Sequence, residues 1–504
     1  MSNPLRKLAG QTVIYGLGTI LPRLINYLLT PLLTYIFSAS EYGINSELYA
    51  YISFLNVIFT YGMETTFFNF NSRLDNKDEV YNTALASIVL STVLLCLGLI
   101  VFSEKIASEL STPGTTYLPM FITWCVMIVA SDALLAIPFA KLRAENKALL
   151  FSVLKLGNVL INFGLSYFFL VMCRKSHDLS EQGFMASIYR PEIGIGYAFL
   201  ANLLSNLFTL LLMSRMFAGL RPNMNYTLLK DMLLYTWPLV ILGLAGMVNE
   251  TLDRIILKKL MTDKVEAQIA QGIYGACYKI AILMTIFIQA FRYAAEPFFF
   301  SKAREKDSKQ IYALVMKYFI IFCLVLFLAT VLNLDWIQYF IGSEFRSGLK
   351  VVPILLAANL FLGVVYNLSI WYKLSGKTKY GAVIAIAGAL ITILLNVLFV
   401  PEYGYLASAW ATLAAYAGMM ILSYVLGQKH FPIPYNFRAI GIYTIFTLVF
   451  YGFSLIFSGI ETTWIRLTLN NLLILLFVGL VYKLEFNTIK KLNSHASPGH
   501  QNNQ

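Results

Sequence analysis

Apolar runs long enough to cross a bilayer follow one another from end to end of this chain, separated by short polar turns. Most are at or above the ~20 residues with which a helix spans ~30 Å of hydrocarbon. Fourteen are legible, at 10–37, 43–70, 83–103, 117–140, 149–172, 192–214, 232–257, 272–300, 311–333, 350–373, 380–400, 404–427, 437–458 and 463–483. None shows the alternating pattern, roughly 10 residues long, of a membrane β-strand. The expected fold class is an all-α polytopic membrane protein with about 14 transmembrane helices. The first run is too long for a cleaved signal peptide and reads as a retained helix. The longest hydrophilic connection, from about Cys173 to Glu192, is too short for a catalytic domain.

Composition supports this picture. Of 504 residues, 58% are hydrophobic and only 13% charged. The net charge of +12 lies in short loops, with no basic stripe interleaved with aromatics, so nucleic acid is not an expected partner. Topology explains the excess. Loops carrying Arg6/Lys7, Arg73/Lys77, Lys141/Arg143/Lys147, Arg215/Arg221/Lys230, Lys302/Arg304/Lys306/Lys309, Lys377/Lys379, Lys429/Arg438 and Lys490/Lys491 alternate with loops much poorer in Lys and Arg. The positive-inside rule places the basic set, and both termini, in the cytoplasm. Cys96, Cys125, Cys173, Cys277 and Cys323 lack metal spacing and read as small core residues without disulfides. There is no Walker spacing, HExxH helix or nucleophile elbow, and His177, His430, His495 and His500 all lie outside the runs. Neither an enzyme nor a cofactor is expected.

The chain also repeats itself. Lys141-Leu-Arg-Ala-Glu-Asn-Lys147 follows the fourth run and Lys373-Leu-Ser-Gly-Lys-Thr-Lys379 the tenth. Gly196-Tyr197 opens the sixth run and Gly404-Tyr405 the twelfth. Six runs per half make a parallel repeat, its pseudo-twofold axis along the membrane normal. The expected units are an N-terminal lobe at 1–230, a C-terminal lobe at 231–430, and two further helices with a tail at 431–504. The lobes would enclose a central cavity and alternate its access by rocking.

Several runs carry charges at membrane depth, where one charge costs ~2.5–3.5 kcal/mol on insertion scales and therefore needs a partner, a wet cavity or a substrate. Arg292 and Glu296 are i, i+4 on the eighth run, with Lys279 some three turns away. These read as a cationic ladder for an anionic headgroup, or as an ion pair with a snorkelling lysine. Arg23, between Pro22 and Pro31, faces the cavity, with Glu64 a candidate partner, or forms a structural pair. Lys155, with Asn158 and Asn162 on the same side, reads as a polar stripe facing the lumen or as interhelical hydrogen bonding. Asp132 is a candidate proton or ion site, or a partner for a nearby cation. Asp253 and Arg254 are a candidate gate pair, or a solvated helix end. Lys373, with Arg143 and Lys377, could draw phosphate to the cytoplasmic mouth or simply obey the positive-inside rule.

Tyr15-Gly-Leu-Gly-Thr-Ile-Leu-Pro-Arg23, Tyr61-Gly-Met-Glu-Thr-Thr-Phe-Phe68, Ile137-Pro-Phe-Ala-Lys-Leu-Arg143, the stretch from Trp237-Pro-Leu to Asp253-Arg254, Phe291-Arg-Tyr-Ala-Ala-Glu-Pro-Phe298, and Ile370-Trp-Tyr-Lys373 with Lys377-Thr-Lys-Tyr-Gly381 occur in one order over nearly the whole chain. In this the chain resembles the polysaccharide-exporter branch of the multidrug/oligosaccharidyl-lipid/polysaccharide (MOP) flippase superfamily, close to the bacterial O-antigen-type flippases. The resemblance implies a MATE-like fold in the bacterial inner membrane. It implies movement of an undecaprenyl-diphosphate-linked oligosaccharide between leaflets, for lipopolysaccharide O-antigen, capsule or exopolysaccharide. It makes membrane lipid and a glycan polymerase candidate partners. It implies that Arg23, Lys155, Lys279 and Arg292 meet the diphosphate and sugars, and that Asp132 or Glu64 serves an ion gradient. Asn69 departs from the pattern where an arginine is expected. The competing readings are an ion-coupled multidrug antiporter of the same fold and a membrane-embedded glycan polymerase or acyltransferase.

Overall fold

The computed structural model describes Gly18 and residues 20–179, 183–218, 224–303, 305 and 307–495. The start of the first expected run, Arg221, Arg304 and Lys306 lie outside them. Helices dominate: α1 (Ile20–Ile36), α2 (Ala39–Thr60), α3 (Met63–Arg73), α4 (Lys77–Val101), α5 (Ser103–Leu110), α6 (Pro119–Ala144), α7 (Ala148–Leu179), α8 (Phe184–Ile188), α9 (Gly196–Leu212), α10 (Tyr226–Leu260), α11 (Lys264–Lys302), α12 (Ser308–Val331), α13 (Val352–Leu368), α14 (Lys379–Tyr403), α15 (Tyr405–His430), α16 (Phe437–Phe457) and α17 (Thr463–His495). Among the described residues eleven helices are long and apolar enough to cross a membrane. The other three expected runs fall on α1 and α9, which are shorter apolar helices, and on α2–α3.

Local chemistry sets the ends. Ser38 and Glu41 form a reciprocal capping box on α2. Asn76, Asn225 and Asn436 cap α4, α10 and α16 by accepting from the N–H three residues on. Between α2 and α3, Tyr61 and Gly62 both take left-handed backbone (φ 34° and 72°), which breaks the second run and turns Glu64 inward. A Cβ on Gly62 would stand 2.9 Å from the Leu239 Cβ, so α10 packs directly against the break. The expected hydrophilic connection after Cys173 is instead helical: α7 continues through a π-helical turn at Phe168–Cys173 to Leu179. Arg174 stabilises that extension by donating to the Ile36 carbonyl, 3.3 Å away, at the end of α1.

Chain direction alternates, so the bundle has two ends, distinguished here by Glu47 and by Arg143. At the Glu47 end α1, α2, α10 and α11 converge. Buried positions concentrate there: Thr30, Leu33 and Thr34 of α1, Ala39–Leu48 of α2 except Ser40 and Glu41, and Asp253, Leu257 and Lys258 of α10. A Cβ on Gly272 would overlap the Ala39 carbonyl oxygen, and one on Gly275 the Ser46 side chain, so α2 and α11 cross in backbone contact. Towards the Arg143 end the same helices expose Leu21, Arg23 and Leu24 of α1 and Leu233, Leu234, Tyr235 and Trp237 of α10.

Two buried ion pairs, neither anticipated from the sequence, tie helices together. Lys258 of α10 donates to Glu47 of α2 at 3.0 Å, their side chains 6% and 1% exposed. Tyr117 donates to the same carboxylate at 2.5 Å, and Lys258 also reaches the Leu110 carbonyl at 2.6 Å. Lys317 of α12 pairs with Glu485 of α17 at 2.6 Å, and that carboxylate accepts from Tyr318 (3.0 Å) and from Tyr443 of α16 (2.7 Å). Each carboxylate thus replaces its lost hydration with several protein donors.

Lys258→Ala strands the Glu47 carboxylate. It is expected to lower the thermal midpoint of the purified protein sharply, as befits the about 3–5 kcal/mol lost on breaking a buried pair. The double change Glu47→Leu with Lys258→Met should recover most of it. Thermal melts of the three proteins decide: a double mutant as unstable as the single would show that the pair's charge is not what the closed end depends on.

Candidate functional site

The membrane-depth charges gather into two clusters on either side of the bundle interior. The first joins α3, α6, α7 and α9. Glu64 of α3 forms an ion pair with Arg143 of α6, whose guanidinium also lies 5.0 Å over the Phe68 ring. This corrects the expected partnership of Glu64 with Arg23: Arg143 was placed in a loop set, but α6 stays helical to Ala144 and carries it inward. Lys155 lies 4.3 Å over the Phe139 ring and within the fields of Asp132, Glu64 and Arg143. Its side chain remains exposed. Asp132 accepts from Asn206 of α9 at 2.9 Å, with Asn56 also beside it. Asn158 is taken up by Asn206 and Thr209, both at 3.0 Å, so at that position interhelical bonding prevails over a free lumenal stripe. Asn162 is buried.

The second cluster joins α1, α10, α11 and α13. The expectation of a solvated helix end at Asp253–Arg254 is overturned, because α10 runs on to Leu260 and buries Asp253 to 3% exposure. Asp253 accepts from Tyr274 of α11 at 2.5 Å and from the Arg254 backbone N–H at 2.8 Å. The Arg254 guanidinium lies 4.3 Å over the Tyr278 ring, beside Lys279. Nearer the Arg143 end, Arg292 lies 5.0 Å over the Tyr366 ring of α13, and the two share a narrow pocket with Asn367 and Lys373. Arg23 of α1 also acts on Tyr366. The Glu296 side chain lies outside the described residues, so its expected i, i+4 partnership with Arg292 does too.

Helix geometry separates these cations into two levels. Lys279 and Arg292 are thirteen residues apart on one continuous helix, which is about 20 Å along its axis. A single diphosphate cannot touch both. The upper level, towards the Glu47 end, is Arg254 with Lys279. The lower is Arg292 with Lys373 and Arg23 close by. Each level holds a buried donor without a protein partner among the described residues, Arg254 Nε above and Asn367 Nδ2 below.

Apart from the charged interior, a wide apolar groove runs between α12, α13, α15 and α16. Ile320, Phe327, Leu360, Phe361, Met420 and Leu448 are among its walls. The Lys317–Glu485 pair and Tyr443 fix α16 and α17 against α12, one wall of this groove.

If the bundle is closed at the Glu47 end, then, in a protein whose five cysteines have been replaced, Lys155→Cys and Arg292→Cys should react with a charged thiol reagent while Gln268→Cys, at a buried position of the closed end, should not. Labelling at Gln268 equal to that at Lys155 would mean that the end is open.

The first part of the chain, residues 8–302, matches the family model described as polysaccharide biosynthesis protein. A search of curated protein sequences finds no match. Among solved structures, the fold is similar to that of lipid II flippase MurJ in an inward closed conformation, with a TM-score of 0.68 and 15% identity over 94% of this chain and 99% of the other. It is also similar to MATE-family multidrug resistance transporters of the MOP superfamily. The inward-facing form gives a TM-score of 0.57 at 12% identity over 83% of this chain and 94% of the other. The outward-facing form gives 0.58 at 13% over 85% and 96%.

Proposed function

The chain belongs to the polysaccharide biosynthesis protein family, and on that premise we propose that it is a flippase for an undecaprenyl-diphosphate-linked oligosaccharide, moving it from the cytoplasmic to the outer leaflet of the bacterial inner membrane. Its fold is that of flippases and transporters, not of enzymes, and it is a multi-pass membrane protein. The observation that carries the reading is the pair of cation levels inside the bundle, Arg254 with Lys279 and Arg292 with Lys373. Unlike a cavity built for cationic drugs, this interior offers Arg23, Lys155, Arg254, Lys279, Arg292 and Lys373 to an anion. A diphosphate carries the complementary charge, and guanidinium groups hold phosphate oxygens in bidentate fashion. The antiporter alternative would want an acidic, aromatic interior.

The remaining parts fit the same reading. The basic Arg143 end faces the cytoplasm, with both termini, so the open end receives substrate from the leaflet where it is made. Residues 1–230 and 231–430 act as two lobes that rock about the converged ends of α1, α2, α10 and α11, while 431–504 supplies α16 and α17. The apolar groove accommodates the isoprenoid tail, whose transfer from lipid into protein costs little because both are apolar. Asp132, bonded by Asn206 in the field of Lys155, and Glu64, paired with Arg143, are the acids through which an ion gradient would bias the two states. The product is an O-antigen, capsule or exopolysaccharide precursor, and a glycan polymerase is the partner expected to take it on.

Deleting the gene should cause lipid-linked oligosaccharide to accumulate in the cytoplasmic leaflet and surface polysaccharide to be lost. Lys279→Ala or Arg292→Ala should fail to restore export by at least about tenfold, the order expected for losing one charge-assisted contact, with normal amounts of protein in the membrane. Unchanged glycan together with altered resistance to cationic drugs would instead establish an antiporter.

A further inference from the structure

Within the upper level one acid has no place in the scheme so far. Glu250 sits one turn before Arg254 on the same face of α10. Its side chain is exposed, in contrast to Asp253, and no cation lies within ion-pairing distance of it among the described residues. Yet its charge reaches Arg254, Tyr278 and Lys279 in the upper level, Tyr416 of α15, and Tyr366 of the lower level. It is an acid close to both cations of the upper level and bonded to neither.

Such a position has a physical consequence. Two cations near each other in an interior of low dielectric repel, and a nearby carboxylate that forms no ion pair with either relieves that repulsion without occupying their donors. The Arg254 Nε–H has no protein partner among the described residues. An anion arriving at this level finds donors ready but also meets the field of Glu250. Binding is weakened there, and departure is helped, by the same charge.

We propose that Arg254 and Lys279 form a second phosphate subsite, occupied after the Arg292–Lys373 subsite, and that Glu250 is the surrogate anion that keeps this second subsite weak enough to release its ligand. The inference rests on the diphosphate reading of the cavity and adds an order of occupancy to it. The headgroup is first taken at the open end by Arg292 and Lys373. It then advances by about 20 Å along α11 to Arg254 and Lys279. There Glu250 competes for the same cations. Binding that is too tight at the last station would trap the ligand, because translocation needs sites that are favourable to enter yet weak enough to leave.

The test uses the full-length protein in lipid nanodiscs with farnesyl diphosphate as the probe. Removing the competing charge, in Glu250→Gln, should tighten binding about 5–30-fold, the effect of one unit charge at ~6–8 Å in a partly solvated interior, while lowering glycan export in cells. Glu250→Ala should shift both in the same directions. Adding Lys279→Met to Glu250→Gln should return affinity to about the wild-type value. Binding by Glu250→Gln that is equal to or weaker than wild type would overturn the inference and leave the flippase reading standing. So would a gain that persists without Lys279. Failure of both wild type and Glu250→Gln to bind the probe would overturn the diphosphate reading together with the inference.

Discussion

Every charge inside this bundle is governed by the cost of removing it from water. The protein meets that cost in two ways. Glu47–Lys258 and Lys317–Glu485 are almost wholly enclosed, and each carboxylate gathers further donors besides its lysine. A pair of this kind cannot open without exposing both charges, so it fixes which helices stay together. Lys155, Arg254, Lys279 and Arg292 are handled differently. They lie over aromatic rings or in the field of an acid, or both, without being enclosed as those two pairs are. The first solution makes joints and the second makes a site.

The joints explain the asymmetry of the cavity. Glu47–Lys258, Tyr117 and Gln268 gather where α2, α10 and α11 meet, and Gly272 and Gly275 allow α11 to lie against α2 there. At the other end α10 touches α3 through Thr66 and Thr236, at 2.8 Å, and through Asn69 and the Tyr235 hydroxyl, at 3.2 Å, while Asn225 donates to Glu79 of α4 at 2.8 Å; these are hydrogen bonds and not a buried ion pair. On the transport reading proposed above, a buried ion pair at one end and hydrogen bonds alone at the other would let the two ends open unequally.

How much of this could be read from the sequence depended on the length scale of the signal. Runs of apolar residues are local, so eleven of the expected segments fall on helices long and apolar enough to span, while the others fall on α1, on α9 and on α2–α3, where Tyr61 and Gly62 break the run. Charges deep within runs, such as Lys279 and Arg292, were equally visible. Glu47 and Lys258 were not singled out because each sits near the end of a run, where a charge normally costs little. Only the fold shows that the two ends meet and are buried. Arg143 was read as a topology signal for the same reason. Glu250 is only three residues from Asp253, and sequence spacing cannot say which of two nearby acids bonds a tyrosine and which stays exposed.

The helix α11 connects the Glu47 end of the bundle to Lys279 and Arg292. Its 39 residues make it about 58 Å long, well beyond the hydrocarbon thickness. Its first turns hold the glycine contact with α2, its middle carries Lys279, and Arg292 lies near its far end. These parts are joined by an unbroken hydrogen-bond ladder among the described residues, so none can move far without the others. Moving α11 away from α2 at the Glu47 end must therefore shift Lys279 and Arg292 relative to Lys155 and Asp132, which belong to α7 and α6. Coupling between the joint and the site follows from helix rigidity alone.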